Sequence, residues 1–484
     1  MKLQDLLYRV KTLKLIGLSN IQIASIHFDS RKVKKNGMFI AIKGISTDGH
    51  NYIETAIRKG AKVILVETIP VNINDNITYI KVVDSNKALS VIAANFYNNP
   101  SKRIKLIGVT GTNGKTTIVS LLHQLFGLLN KKVGMLSTIE NKIVENVIES
   151  THTTPDILQI NLLLNQMIDM GCEYCFMEVS SHAIHQGRVN GLHFNGGVFT
   201  NITRDHLDYH HTFSKYLNVK KSFLDSLSKQ AFALVNKDDK YALKMLEGTK
   251  AKKLTYSLKS LSDYTCKVLE NQFQGMLVQI NKIDIWVKLV GKFNAYNILA
   301  VYGVVKQFDF LEEDILKALS LLNSVNGRFE FVRNKDAVTG VVDYAHTDDA
   351  LKNVIEVINE IKKDNEDLIT IIGCGGDRDK SKRSLMAKIA CDLSSQVIIT
   401  ADNPRSEHPD DIIQDMISKL NFIQKKKVLI ITDRKQAIMT AGRLANKNDI
   451  ILVAGKGHEK FQEIKGKKIP FNDMAELKKS INII

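Results

Sequence analysis

The sequence predicts an α/β protein of three domains whose parallel sheets carry their chemistry at the strand ends. Three features lead there. Residues 104–110 form an apolar run of β type that breaks into the glycine turn Gly111-Thr112-Asn113-Gly114-Lys115-Thr116-Thr117, followed by an amphipathic helical pattern over 118–129. From residue 328 onward, five apolar runs alternate with helical stretches, and each run ends in a polar loop. The 484 residues also suffice for three units of about 150 residues each. Strands alternating with helices imply a parallel, doubly wound sheet, which binds ligands outside the carboxyl ends of its strands.

Residues 1–100 read as a small α/β module, with β runs at 21–24, 37–42, 61–66 and 79–83 and a helical pattern over 52–59. The polar stretches Asp29-Ser30-Arg31 and Gly44-Ile45-Ser46-Thr47-Asp48-Gly49 could hold a ligand, although turn chemistry explains them equally well. A helix over 87–97 ends in the linker 98–101, where the second unit (101–327) begins. The backbone N–H groups of its glycine loop, with a helix N-terminus behind them, make a nest for phosphate oxygens. Lys115 can reach β- and γ-phosphates, and the Thr116 hydroxyl suits Mg²⁺. The strict P-loop pattern has glycine where Val109 stands, so this is a variant.

Residues 173–179 read as a buried parallel strand that exits through Glu178, a position suited to a hard oxygen ligand for Mg²⁺. The strand 196–200 leads into 201–211, where His206, His210, His211, Asp205 and Asp208 cluster as candidates for metal or phosphate. Residues 231–236 form another strand, 253–289 alternate like an antiparallel flap, and 291–297 open a helix. In the third unit (328–484) the five runs are 338–342, 368–372, 396–400, 428–431 and 450–453. Their loops are rich in Gly, Asp, Arg and His, which solvated turns alone do not require.

Composition limits the function classes. With 44% hydrophobic and 24% charged residues, the chain reads as an ordinary soluble globular protein. No apolar run approaches the ~20 residues of a membrane span, and the Met-Lys-Leu-Gln-Asp-Leu-Leu start has no signal-peptide core. Cytoplasmic localisation without membrane insertion is therefore expected. Five cysteines argue for a reducing compartment, and the Cys172/Cys175 pair reads as core because no second Cys/His pair has zinc spacing. The net charge of +16 suits polyanions. Lysines spread along the chain, without basic–aromatic blocks, favour phosphate-binding clefts, and no nucleic acid is expected.

The ordered set 111–117, Glu178-Val179-Ser180-Ser181-His182, 204–210, 343–347, 375–380 and 455–459 resembles the motifs of the Mur ligase family, in its MurE type, over essentially the whole chain. The resemblance implies a UDP-substrate domain, a central P-loop ATPase parallel sheet and a Rossmann-like C-terminal domain. It further implies ATP-dependent amide formation through an acyl phosphate in cytoplasmic peptidoglycan precursor synthesis. The expected partners are UDP-MurNAc-L-Ala-D-Glu, meso-diaminopimelate and ATP, with Mg²⁺ as cofactor and a monomer as the working state. Carried over by motif, Lys115, Glu178, His206 and Lys220 are the catalytic positions. Thr116, Glu178 and His206 would hold metal, joined by Lys220 once carbamylated to N6-carboxylysine.

By the same resemblance, ATP would contact Gly111, Thr112, Asn113, Gly114, Lys115, Thr116 and Thr117, with Asn294, Arg328 and Asp343 at adenine, phosphate and ribose. The UDP-MurNAc-dipeptide would contact Ser30, Ile45, Ser46, Thr47, Thr153, Thr154, Ser180, Gln186 and Arg188. The incoming amino acid would contact Arg378, Asp402, Asn403, Pro404, Arg405, Gly455 and Glu459. Asp402-Asn403-Pro404-Arg405 resembles the diaminopimelate-adding form, and lysine-adding relatives lack the arginine. Physical chemistry agrees, since a second carboxylate suits the bidentate guanidinium fork of Arg405.

The alternatives are the same ligation with L-lysine and a folylpolyglutamate-synthase-like ligase, which should lack the first domain and the 402–405 motif. A P-loop motor acting on nucleic acid would need an arginine finger or a helicase-like series, and neither is visible. An inactive relative is disfavoured because the catalytic positions are filled. Asp348 departs from the family, which has proline after Ala-His-Thr; it is expected to alter a turn and add negative charge near the nucleotide.

Overall fold

The computed structural model describes residues 1–44, 47–150 and 152–483. Among these residues the strands form sheets of five, eleven and six strands and a two-stranded ribbon. The first sheet orders Thr12–Ile16, Thr78–Val82, Ala61–Val66, Gly37–Ile40 and Ser25–His27, and only Thr12–Ile16 pairs antiparallel. The strand expected at 21–24 lies instead at Ser25–His27. The edge strand Thr12–Ile16 escaped the reading because almost all of it is exposed and it shows no buried run. Helix Ser85–Phe96, capped by the Asp84 carboxylate, packs its apolar side on this sheet. It also leans on helix Ile157–Asp169, whose Ile157 joins the same core.

In the eleven-stranded sheet, Lys105–Thr110 lies between Tyr174–Glu178 and Gly196–Phe199, all three parallel. The register pairs Glu178 with Val109 and Phe199 with Thr110. The glycine loop, Glu178 and the segment after Phe199 therefore leave the sheet side by side at its carboxyl edge. That register explains why residues remote in sequence meet in one site. The stretch expected as an antiparallel flap is antiparallel over 264–287 and continues this sheet at its edge. Lys252–Ser257 runs parallel to Phe232–Asn236, and Tyr264–Gln272, Gly275–Ile280 and Ile283–Val287 extend the edge as hairpins. Their inner residues Cys266, Met276, Val278 and Ile280 share one core with the P-loop helix Lys115–Leu128 and the almost wholly buried helix Lys292–Val305. Alternation revealed the hairpins, but their partner depends on long-range packing.

The C-terminal sheet orders Glu330–Arg333, Thr339–Asp343, Ile450–Ala454, Leu368–Ile372, Gln396–Ile399 and Val428–Ile430. The five strands after the first are parallel and match the five runs in the sequence. One face packs Val341, Ile372, Ile399 and Leu452, and the other packs Val342, Ile371, Ile398 and Val453. Burial on both faces is why these strands read as continuous apolar runs. The antiparallel edge Glu330–Arg333 and the hairpin Phe461–Ile464/Lys467–Pro470 were not foreseen.

Beneath this sheet's site end, Arg434 and Asp473 are both inaccessible and paired at 2.7 and 2.8 Å, with a third bond from Arg434 to the Ala454 carbonyl at 3.0 Å. Removing one partner leaves a buried charge unpaired. Asp473→Ala is expected to cost about 3–5 kcal/mol and lower the first calorimetric transition by roughly 10 °C. The apolar double replacement Arg434→Met with Asp473→Leu should recover most of that loss; an unchanged transition in the single variant would refute the assignment.

Candidate active site

A cavity of about 1240 Å³ opens at the carboxyl edges of the central and C-terminal sheets. Two glycines shape the phosphate loop on its wall. Gly111 has φ +150°, and a Cβ there would fall 1.9 Å from Thr200 Oγ1. Gly114 has φ +87°, with Asn297 Oδ1 2.7 Å from where its Cβ would stand. The loop is pinned to the neighbouring strand exit: the Thr112 amide donates to the Asn201 carbonyl at 2.8 Å, and Thr200 Oγ1 donates to the Asn113 carbonyl at 2.6 Å. Gly114 provides no side-chain cap, so the first-turn amides of helix Lys115–Leu128 remain as donors at the cavity wall.

Two lysines converge on one carbonyl. Lys115 Nζ donates to Gly111 O at 2.9 Å and Thr112 O at 2.8 Å, while Lys220 Nζ donates to Gly111 O at 2.7 Å. Burial lowers the Lys115 ammonium, with Glu178 and Asp205 opposing the shift. Lys220 is 1% exposed, and burial followed by repulsion from Lys115 drives it well below a normal lysine. Burial thus favours the neutral amine of Lys220, which is a nucleophile rather than a counter-ion.

Glu178 ends its strand fully buried. Its Oε1 accepts the Thr138 amide at 2.7 Å, and its Oε2 has no hydrogen-bond partner among the described residues. An orphaned carboxylate oxygen beside a phosphate loop is a donor that a hard dication takes. Thr116 Oγ1 accepts from Arg328 Nη2 at 3.2 Å. His206, at φ +54°, is bonded through its amide to Asp205 Oδ1 at 2.9 Å, and burial pushes its imidazole well down, into the neutral form. Burial opposes ionisation of Asp205, but the Lys382 ammonium and the His206 amide bond favour the carboxylate, and the group lies below the ordinary range. No group of three His, Cys, Asp or Glu among the described residues could hold a metal alone. Thr116, Glu178 and His206 could hold Mg²⁺ once phosphate oxygens and water complete the shell.

On a second wall, Thr154 Oγ1 donates to the Glu178 carbonyl at 2.8 Å and accepts the Ser180 amide at 3.1 Å. Arg188 Nη1 donates to the Thr154 carbonyl at 2.9 Å, and Arg188 Nη2 donates to Gln186 Oε1. On the third wall, Asn403 Nδ2 donates to Glu459 Oε2 at 2.8 Å, and buried Lys456 bonds both Glu459 Oε2 at 2.7 Å and Asn403 Oδ1 at 2.9 Å. Arg405 Nη1 donates to the Gly376 carbonyl at 2.7 Å. Arg378 and Arg405 both line the cavity.

The cavity wall brings together Thr112, Asn113, Gly114, Lys115, Thr116, Thr117, Thr153, Thr154, Glu178, Ser180, Arg188, His206, Lys220, Arg328, Arg378, Asp402, Asn403, Arg405, Gly455 and Glu459. Ser30, Thr47, Gln186, Asn294, Asp343 and Pro404 are not on that wall, nor is Gly111, whose carbonyl holds both lysines. Ile45 and Ser46 lie outside the described residues. Asn294 is bonded to the Val290 carbonyl at 2.8 Å and to Asn297 at 3.0 Å. Asp343 spends both oxygens on the amides of Phe329 and Ala345, each at 2.7 Å. It thus ties the segment carrying Arg328 to the strand end. Asp348 opens helix Asp348–Ile361 directly after its Thr347 cap, where a carboxylate suits the helix dipole. Next to it, Asp349 accepts from Asn113 Nδ2 at 3.1 Å, joining the C-terminal domain to the phosphate loop.

Several residues on or behind the cavity wall were not singled out from sequence. Tyr344 lies under Arg328, 4.3 Å from guanidinium to ring centre, and stacks on His458 at 5.0 Å. Lys382 reaches the His346 carbonyl at 2.9 Å. Lys456 had a readable signal, an isolated lysine between glycines three residues before Glu459, whereas Lys382 had none in so lysine-rich a chain.

Family models agree with this arrangement along the chain. The Mur ligase family catalytic domain matches residues 22–97, the Mur ligase middle domain 109–305, and the Mur ligase glutamate ligase domain 327–457. The UDP-N-acetylmuramoyl-L-alanyl-D-glutamate--2,6-diaminopimelate ligase of Cytophaga hutchinsonii is 49% identical over 485 residues, covering 100% of both chains. A solved structure of a ligase of that name superposes with a TM-score of 0.70 at 30% identity, covering 100% of this chain and 99% of its own. A Mycobacterium tuberculosis folylpolyglutamate synthase shares the fold, with a TM-score of 0.62 at 15% identity over 76% of this chain and 92% of its own.

Proposed function

The chain belongs to the Mur ligase family, and from that premise we propose that it joins meso-diaminopimelate to UDP-MurNAc-L-Ala-D-Glu with cleavage of ATP to ADP and phosphate. One observation carries the reading. A phosphate loop, a buried unpaired carboxylate oxygen and a pair of cavity-lining arginines share one chamber between the central and C-terminal sheets. The units 1–100, 101–327 and 328–484 would bind the UDP substrate, ATP and the amino acid, in cytoplasmic precursor synthesis by a monomer. The 402–405 motif favours diaminopimelate over L-lysine. The full-length match and the 402–405 motif weigh against a folylpolyglutamate-synthase-like activity.

A carboxylate is a poor electrophile, so the γ-phosphoryl group is first transferred to the free glutamate carboxylate, giving an acyl phosphate and ADP. Loop amides and Lys115, released from its own carbonyls, stabilise the transferring phosphoryl charge. Mg²⁺, held by Thr116, Glu178 and His206, would supply further charge neutralisation. The neutral Lys220 amine adds to CO₂, losing one proton, and becomes a carbamate that supplies a carboxylate to the same site. Thr153, Thr154, Ser180 and Arg188 hold the muramoyl dipeptide, with Ser30, the 45–47 loop and Gln186 contributing farther out. Asn294, Arg328 and Asp343 serve the nucleotide. The amine of diaminopimelate then attacks the acyl carbon, phosphate leaves with its bridging oxygen, and a proton is released.

Asp402, Asn403, Gly455 and Glu459 orient the reacting end of the amino acid, with Pro404 shaping the loop, while Arg378 and Arg405 take the distal carboxylate. Arg405→Ala is expected to raise the KM for meso-diaminopimelate by about 10²-fold through loss of a charge-assisted fork. The KM for ATP should not move. An equal rise in both constants would refute the assignment of Arg405 to the amino acid.

A further inference from the structure

Arg378 and Arg405 sit on different loops, one after strand Leu368–Ile372 and the other after Gln396–Ile399. Each loop contains a non-glycine residue in left-handed backbone, Asp377 at φ +54° and Arg405 itself at φ +52°. Such conformers persist where the surroundings over-determine them. Here the surroundings are a set of cross-ties behind the cavity wall. Glu407 Oε1 accepts the Asp377 amide at 2.6 Å, and Ser406 Oγ donates to Asp377 Oδ1 at 2.5 Å. Buried Arg383 grips Glu407 with both terminal nitrogens, at 2.8 and 2.9 Å, and also bonds Asp415 Oδ2 at 2.8 Å. The loops also meet directly, since a Cβ on Gly376 would fall 1.9 Å from the Pro404 carbonyl oxygen.

Neither Arg383 nor Glu407 lines the cavity, yet their cluster grips the residue before Arg378 and lies two residues beyond Arg405. We propose that Glu407, held by Arg383, is a positioning residue that sets the spacing of Arg378 and Arg405 and so enforces selection of an amino acid with a distal carboxylate. This rests on the diaminopimelate reading above. Arg383 keeps the Glu407 carboxyl ionised down to about 2, so the tie holds across the working pH range.

The test is steady-state kinetics of Glu407→Gln and Ser406→Ala against the unaltered enzyme, with meso-diaminopimelate and L-lysine as competing amines. Glu407→Gln is expected to raise the KM for meso-diaminopimelate by about tenfold or more, with a smaller change in kcat and none in the KM for ATP. Its preference for diaminopimelate over lysine should fall in proportion. Ser406→Ala, which leaves the Arg383 cluster intact, should show the same split at smaller size. Unchanged selectivity in both variants, or parallel losses for ATP and amino acid, would overturn the proposal. An unaltered enzyme that does not prefer diaminopimelate would overturn the underlying reading instead.

Discussion

Lys220→Ala is expected to lose about 10³-fold or more in kcat, the scale on which preorganised charge at a phosphoryl centre acts. The KM for diaminopimelate, which is proposed to bind at the C-terminal sheet, should change little. The expectation comes from the chemistry of one amine. Lys220 is buried beside a second lysine, both donate to the carbonyl of Gly111, and among the described residues no carboxylate bonds either Nζ. An ordinary structural lysine would be paired or solvent-exposed. On the proposed reading, the Lys220 amine in its neutral form would take up CO₂ and become the anion that a cation-binding site needs. Depleting CO₂ and bicarbonate should therefore lower the activity of the unaltered enzyme, and small carboxylic acids should partly restore Lys220→Ala. Full activity in the alanine variant, or no response to either treatment, would contradict the assignment.

Lys115→Ala should be as damaging, about 10³-fold in kcat, but insensitive to CO₂ and to added carboxylates. Lys115 follows Gly114 on the loop and can swing from the Gly111 and Thr112 carbonyls to phosphate. The two lysines, equivalent as charges, are thus separable by chemistry. Rescue of Lys115→Ala by acetate, or retention of more than a tenth of the activity, would refute its role.

The phosphate loop and the parallel C-terminal sheet were legible because local patterns specify them. Gly111 and Gly114 occupy conformations and contacts that exclude a side chain, and strands buried on both faces have to be apolar throughout. Glu178 was legible for the same reason, as a charge at the end of a buried run. The exposed edge strand Thr12–Ile16 gave no such pattern. The joining of the 252–287 hairpins to the central sheet is fixed by packing against helix Lys292–Val305, which no local spacing encodes. Within the site, contacts that cross domains were invisible, such as Asn113 to Asp349 and Arg328 to Thr116. Asp343 was read as a nucleotide residue from its motif alone; in the structure both its oxygens are bonded to the Phe329 and Ala345 amides, which fastens the Arg328 segment to the sheet.

The most direct measurement is phosphate release with ATP, Mg²⁺ and UDP-MurNAc-L-Ala-D-Glu, comparing meso-diaminopimelate with L-lysine at equal concentration. Turnover with diaminopimelate and little with lysine is the predicted result, with the preference lost in Arg405→Ala. Turnover with lysine alone would contradict the specificity, and no turnover with either amine would contradict the ligase reading itself.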